Sequence, residues 1–345
     1  MTFRIDLTTR DAQRLSFDCA PDQDLLTAAA AADIVLPSQC RKGSCGACHA
    51  VVTHGDFRMG DHSADALSHD QAGAMLMCRT TPCSDLQVSL PYDHTKVLRQ
   101  PVPRRTTTIV SLDTIARHTV RLVLEISPDA EGGCAAEFEA GQFMELEIPG
   151  TDERRPYSLA NTSNWEGRLE FMIRLQPDGR FSTFLRERAR LGEQIVVRGP
   201  LGGFGIREGS LRPRWFVAGG TGVAPMLSML RRMADFQEIQ DARLFFGVNE
   251  ESELFLDDEL TELRTLLPQL SVEFCVWRPG DAWQGFRGTP VDALRAALAS
   301  ANAQPDIYVC GPPALIRAAE QLAAASNLPA EQFASERFAS GAAAV

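Results

Sequence analysis

The stretch Cys40-Arg-Lys-Gly-Ser-Cys45-Gly-Ala-Cys48, joined later by Cys78, constrains this chain more than any other. The spacing is C-x4-C-x2-C…C, the ligand spacing of a plant-type [2Fe–2S] centre. Four thiolates that converge on two ferric ions and two sulfides need a tightly wrapped loop with backbone N–H groups aimed at sulfur. Gly43 and Gly46 permit the positive φ that such wrapping demands. Arg41 and Lys42 offset part of the negative charge. Three rival readings fit the residues less well. A structural zinc site usually pairs two C-x2-C knuckles, and only one is present. A Rieske centre needs histidine on one iron, but His49 follows Cys48 directly and no Cys-x-His pair exists. Core cysteines do not cluster among glycine and basic residues. Cys19, Cys83 and Cys134 have no comparable context, and Cys275 lies in an apolar strand pattern that reads as core.

One cysteine loop does not fill the chain. With 345 residues and 37.8 kDa, two or three domains are expected. A net charge of −11 and a pI near 5.1 argue against a nucleic-acid coat or binding to an anionic membrane surface. No apolar run reaches the roughly 18 residues of a membrane span. The N-terminus lacks an apolar signal core, so a cytoplasmic location with reduced thiols is expected. Residues 1–95 carry seven Lys/Arg against twelve Asp and no Glu. Residues 96–208 balance sixteen charges of each sign, and residues 209–345 set eleven Arg against seventeen acids. The proline-rich stretch Pro91 to Arg105 reads as an interdomain linker without helix. A second break lies near Gly199–Pro213. The middle section is mostly strand-like, with one helix expected over Ser182–Arg190. The last section alternates apolar strands (Trp215–Ala218, Ala242–Val248, Ser271–Val276, Ile307–Val309) with helices, which predicts a parallel sheet covered on both faces.

Two further motifs point to nucleotide cofactors. Arg154-Arg155-Pro156-Tyr157-Ser158 is followed by Met172-Ile173-Arg174 and then by Gly179-Arg180-Phe181-Ser182-Thr183 at a helix start. Arg155 suits two-pronged pairing with a pyrophosphate. Tyr157 offers a flat face and a hydroxyl, and Ser158 a hydrogen bond to the flavin N5 edge. The Gly179–Thr183 turn presents backbone donors to phosphate. Taken alone, Arg-x-Tyr-Ser also fits an exposed strand with a capping serine; the ordered combination favours FAD. Gly219-Gly220-Thr221-Gly222-Val223-Ala224-Pro225 runs from an apolar strand into a helix, with Pro225 in the first turn. Pro225 stands where a Rossmann fingerprint has its third glycine, so a plain strand–helix turn is the rival to a dinucleotide site. Cys310-Gly311-Pro312-Pro313 ends another strand at the same carboxyl edge, where open α/β sheets bind ligands. After Val248 come Asn249-Glu250-Glu251-Ser252-Glu253. Three carboxylates and no arginine would repel a 2′-phosphate, so a ribose held by this loop predicts NADH over NADPH. Otherwise the acids line a solvated loop.

In this order, the three motifs resemble the ferredoxin–NADP reductase superfamily with an N-terminal ferredoxin. Among its members, the chain is similar to the reductase components of bacterial multicomponent oxygenases, and within these to those of soluble methane monooxygenase and related di-iron monooxygenases. Gly141 to Asp152, Asn164 to Phe171 and Pro305 to Pro313 also carry the likeness. The resemblance implies a β-grasp [2Fe–2S] domain over 1–95, an antiparallel β-barrel for FAD over 96–208 and a parallel-sheet NADH domain over 209–345. Cys40, Cys45, Cys48 and Cys78 would hold the cluster. Arg155, Tyr157, Ser158, Arg174 and Ser182 would hold FAD. Gly220, Thr221, Gly222, Cys310 and Gly311 would line the nicotinamide site. Ser158, Cys310 and Glu336 resemble the trio at the hydride-transfer centre, and Phe338 would sit against the flavin. For Ser335–Phe338 the plainer reading is a final strand edge. The implied activity passes electrons from NADH to FAD, to the cluster and to a di-iron hydroxylase. The Asp-rich first section implies a basic dock on that partner. A ring-hydroxylating dioxygenase partner, a deoxysugar-reducing role and a non-enzymatic carrier or redox sensor are the alternatives.

Overall fold

The computed structural model of the chain describes residues 2–67, 72–98, 102–128, 130, 133–301 and 303–337. The chain divides into two compact units, Met1–Pro103 with Leu201–Gly203, and Arg104–Pro200 with Phe204–Phe338.

The first unit is a β-grasp. Its strands are β1 (Phe3–Thr8), β2 (Arg14–Cys19), β3 (His49–His54), β4 (Phe57–Met59), β5 (Ala74–Leu76), β6 (Thr80–Pro82) and β7 (Leu86–Ser89). The five-stranded sheet runs β2-β1-β7-β3-β5, and β4 pairs β6 separately. Period-2 alternation sends Ile5, Leu7, Leu15, Phe17, Leu86 and Val88 to one buried face. Helix α1 (Leu25–Ala31) lays Leu25, Leu26, Ala28 and Ala29 into this core. Asp24 caps it by accepting from the Thr27 N–H at 3.0 Å.

The expected linker is shorter than its prolines suggest. His94–Lys96 forms a 3₁₀ turn, and Leu98 bridges back to Val35. Arg104 and Arg105 already belong to the next strand. Prolines forbid a long helix but not a single turn or an isolated bridge.

The second unit holds two sheets. Strands β8 (Arg104–Ala116), β9 (Thr119–Ile126), β10 (Phe143–Glu147), β11 (Arg154–Ser158), β12 (Arg168–Arg174) and β13 (Gln194–Leu201) run β11-β10-β13-β8-β9-β12. A bridge between Leu159 and Phe171 joins the two ends and closes the barrel. Strand β8 far outruns the expected Thr107–Leu112 because it serves both β13 and β9, with bulges near Ile109 and Thr114. Helix α2 (Arg180–Glu187) begins two residues before the expected Ser182. Its Phe181, Phe184 and Leu185 plug the barrel beside Phe171 and Leu146.

The parallel sheet is formed by β14 (Arg214–Gly219), β15 (Ala242–Val248), β16 (Leu270–Val276), β17 (Phe286–Arg287), β18 (Asp306–Gly311) and β19 (Phe333–Arg337), in the order β17-β16-β15-β14-β18-β19. Its helices are α3 (Val223–Asp235), α4 (Asp257–Leu266), α5 (Pro290–Ala299) and α6 (Pro313–Ala325). Phe216 and Ala218 of β14 pack under α3 and α4. Trp215 and Val217 pack under α5 and α6. This two-sided burial is why the strand reads as a continuous apolar run. Cys275 is fully buried in that core. Among the described residues no helix is long and apolar enough to cross a membrane.

Candidate functional site

The cysteine loop leaves α1 and folds under Gly43 and Gly46, at φ +74° and +77°. A Cβ on Gly46 would lie 2.8 Å from the Ala66 carbonyl oxygen, so close approach excludes a side chain there. Cys45, Cys48 and Cys78 are buried and Cys40 is half-buried. Their sulfurs meet as two pairs. Cys48 Sγ lies 3.3 Å from Cys78 Sγ, and Cys40 shares a hydrogen bond with Cys45. The Lys42 and Ser44 N–H groups each donate to Cys40 Sγ at 3.4 Å, and the Cys40 N–H donates to Cys45 Sγ at 3.5 Å. The hydrogen bond from Cys45 pulls the Cys40 thiol down to about 4 and pushes Cys45 up. The Cys48–Cys78 pair splits likewise, with Cys78 lowered and Cys48 raised. Among the described residues no three Cys, His, Asp or Glu side chains gather around one point as a single-ion site. Two thiol pairs with backbone donors suit a two-iron cluster that takes two sulfurs at each iron. They do not suit a tetrahedral zinc.

In the second unit, the carboxyl edge of the parallel sheet meets the barrel. Cys310 of β18 lies in register with Ala218 on one side and Glu336 on the other. The Ser158 hydroxyl, at the end of β11, donates to Glu336 Oε2 at 3.2 Å. Burial pushes the Glu336 carboxyl up to about 8, against the lowering effect of that hydrogen bond. Burial, then the nearby Glu336, holds the Cys310 thiol well above its ordinary range. Gly219, Gly222 and Gly311 pack backbone on backbone. A Cβ at Gly222 would stand 2.3 Å from the Cys310 carbonyl oxygen. Gly220, at φ +55°, faces open space, and Thr221 lies beside it in the same 3₁₀ turn. Pro225 sits in the first turn of α3 and Pro312 caps α6. Open space beside a glycine-rich turn at a strand's carboxyl end fits a dinucleotide backbone.

The flavin motif falls into place only in part. The rings of Tyr157 and Phe181 lie 5.3 Å apart. Arg155 stands at the head of β11 near the start of α2, whose N-cap Gly179 supplies no side-chain bond. Ser182 Oγ accepts from the Gln176 N–H at 2.9 Å, and Thr183 Oγ1 accepts from Arg186 at 3.2 Å. Both hydroxyls therefore serve the turn itself. Pro156 is half-buried, Met172 is buried in the same cluster as α3, and Ile173 lies in the barrel core. Arg174 pairs with Glu253 at 2.9 Å, and Glu250 with Arg117 at 2.8 Å. The acidic loop thus ties the sheet to the barrel. Phe338 lies outside the described residues.

Two features escaped the sequence. Glu170 pairs with both Arg121, at 3.2 Å, and Arg231, at 2.7 Å, and Arg121 also reaches Glu259. Arg180 and Arg155 share Glu153. Such pairs join residues far apart in the chain or across a turn, and no local spacing announces them.

Comparison with known proteins agrees with this arrangement. Three family models match in turn: "2Fe-2S iron-sulfur cluster binding domain" over 8–83, "Oxidoreductase FAD-binding domain" over 106–206 and "Oxidoreductase NAD-binding domain" over 216–321. The chain is 39% identical to methane monooxygenase component C of Methylosinus trichosporium, over 81% of this chain and 82% of that protein. It is 31% identical to the anthranilate 1,2-dioxygenase electron transfer component of Acinetobacter baylyi, over 96% and 98%. Among solved structures it is similar to the Amycolatopsis cytochrome P450 reductase GcoB, with a TM-score of 0.74 and 27% identity over 97% and 98%. The chain is an oxidoreductase with [2Fe–2S]-, FAD- and NAD-binding domains, and it belongs to the ferredoxin–NADP reductase superfamily, among the reductase components of bacterial multicomponent oxygenases.

Proposed function

We propose that this chain oxidises NADH and delivers single electrons to the hydroxylase component of a soluble di-iron monooxygenase. The observation that carries the reductase chemistry is the meeting of Ser158, Glu336 and Cys310 beside the glycine turn. When bound, FAD accepts a hydride and, with the [2Fe–2S] centre, turns a two-electron donor into a one-electron source.

The chain's own residues supply the setting. Arg155 and the uncapped start of α2 would hold the flavin phosphates, and Tyr157 and Ser158 its ring. Gly220, Thr221 and Gly222 would admit the nicotinamide nucleotide. At neutral pH the buried Glu336 keeps its proton, within hydrogen-bond reach of Ser158 Oγ. Cys310, fully buried as a thiol, packs the edge and excludes water. Cys40 with Cys45, and Cys48 with Cys78, would each hold one iron. The domain division 1–95, 96–208 and 209–345 belongs to the same proposal.

The 39% identity to a methane monooxygenase component supports a monooxygenase partner. The near full-length similarity to an anthranilate dioxygenase component favours the second reading, a ring-hydroxylating dioxygenase. The acidic excess of residues 1–95 fits a basic dock in either case. The test is NADH-driven turnover of purified di-iron hydroxylases and dioxygenase oxygenases, each mixed with this chain. Turnover with dioxygenases alone would overturn the first reading. An absence of NADH-driven flavin bleaching would overturn the reductase assignment of the site.

A further inference from the structure

One carboxylate stands where the flavin phosphates would be held. Arg155 Nη2 donates to Glu153 Oε2 at 2.9 Å, and Arg180 Nη1 donates to Glu153 Oε1. Arg155 is the second residue of β11 and Arg180 opens α2, so the two guanidiniums come from the two elements that bound the expected phosphate site. One carboxylate leaves this pair of cations with a net positive charge, whereas a diphosphate would neutralise both. The backbone of Glu153 is fixed: its carbonyl accepts from the Ile148 N–H at 2.8 Å, and its N–H donates to Thr151 Oγ1 at 3.2 Å. Its side chain is 38% exposed, so the carboxylate can swing into water without unfolding the turn.

We propose that Glu153 is a built-in competitor for the dinucleotide phosphates. It holds Arg155 and Arg180 converged, and the incoming diphosphate displaces it, which makes Arg180 the second cation of the clamp. A phosphate approaching both arginines while Glu153 remained would meet like charge at close range. Two exposed ion pairs are individually weak, so the competitor tunes affinity without blocking the site. The inference rests on the assignment of this face to FAD.

The test is flavin-fluorescence titration of the full chain after its flavin has been removed. Glu153→Gln is expected to tighten FAD binding about three- to tenfold. Riboflavin, which lacks phosphate, should bind with unchanged affinity. Inorganic pyrophosphate should compete with FAD more strongly in the variant than in the wild type. In the Glu153→Gln background, Arg180→Gln should weaken FAD binding. Unchanged or weaker FAD binding by Glu153→Gln would overturn the competitor role, since Glu153 would then be a spectator or an organiser of the arginines. Arg155→Gln isolates the underlying assignment: if it leaves FAD affinity intact, this face does not hold the phosphates at all.

Discussion

Replacing Glu336 by glutamine should remove a pH-dependent weakness from the second unit. The carboxyl is buried between β18 and the Ser158 hydroxyl, and burial lifts it from the ordinary 4.5 to about 8. Between those values the unfolded chain releases the proton while the folded protein retains it. The folded state then binds more protons, so stability falls as pH rises. The loss begins above the unfolded value near 4.5 and is complete above the folded value near 8. At about 1.4 kcal/mol per pH unit, the full cost is about 5 kcal/mol, of which about 3 kcal/mol is present at pH 7. Glutamine matches the shape, can still accept from Ser158 and does not titrate. The assay is the thermal melt of the flavin- and nicotinamide-binding unit in wild type and variant from about pH 5 to about pH 9. The stability of the variant relative to wild type should rise steadily to about pH 8 and then level off. By pH 7 it should have changed by on the order of 10 °C in melting temperature. A pH-independent difference would refute the buried, protonated carboxyl.

Other perturbations probe the remaining parts. Cys45→Ala should abolish the reduced-cluster EPR signal and electron delivery, while NADH still bleaches the flavin; loss of bleaching would place the cluster before the flavin. Gly222→Ala forces a Cβ to within 2.3 Å of the Cys310 carbonyl oxygen. It should cost about 1–3 kcal/mol of stability and raise KM for NADH, as read by melting and steady-state kinetics. The half-exposed Arg174–Glu253 pair should show a coupling of about 0.5–1 kcal/mol in a double-mutant cycle. A markedly larger value would mean that it holds the barrel and sheet in register by more than a surface ion pair.

Motifs with local chemistry come together as groups in the structure. The cysteine spacing led to two sulfur pairs because ligand spacing and glycine φ are set within one loop. The strands expected over Ala242–Val248 and Ile307–Val309 fall in β15 and β18, because each is buried almost throughout and so reads as an apolar run. The short strands β4, β5, β6 and β17 were not read. They contain few alternating residues, and their pairing partners lie outside any local window. Glu336 was singled out by resemblance, with a final strand edge as its rival. The structure makes the two compatible, because β19 places Glu336 in register with Cys310.

Sequence alone therefore determined the modules, their order and the residue types each could offer to iron, phosphate or nicotinamide. Those depend on spacing along the chain and on side-chain chemistry. Tertiary structure decided how the residues are used. Arg174 turns to Glu253, Glu250 to Arg117, and Ser182 to its own turn. Ser158 meets Glu336 across a gap of 178 positions. A charge finds its partner by distance through space, and only the closed barrel and the wound sheet fix those distances.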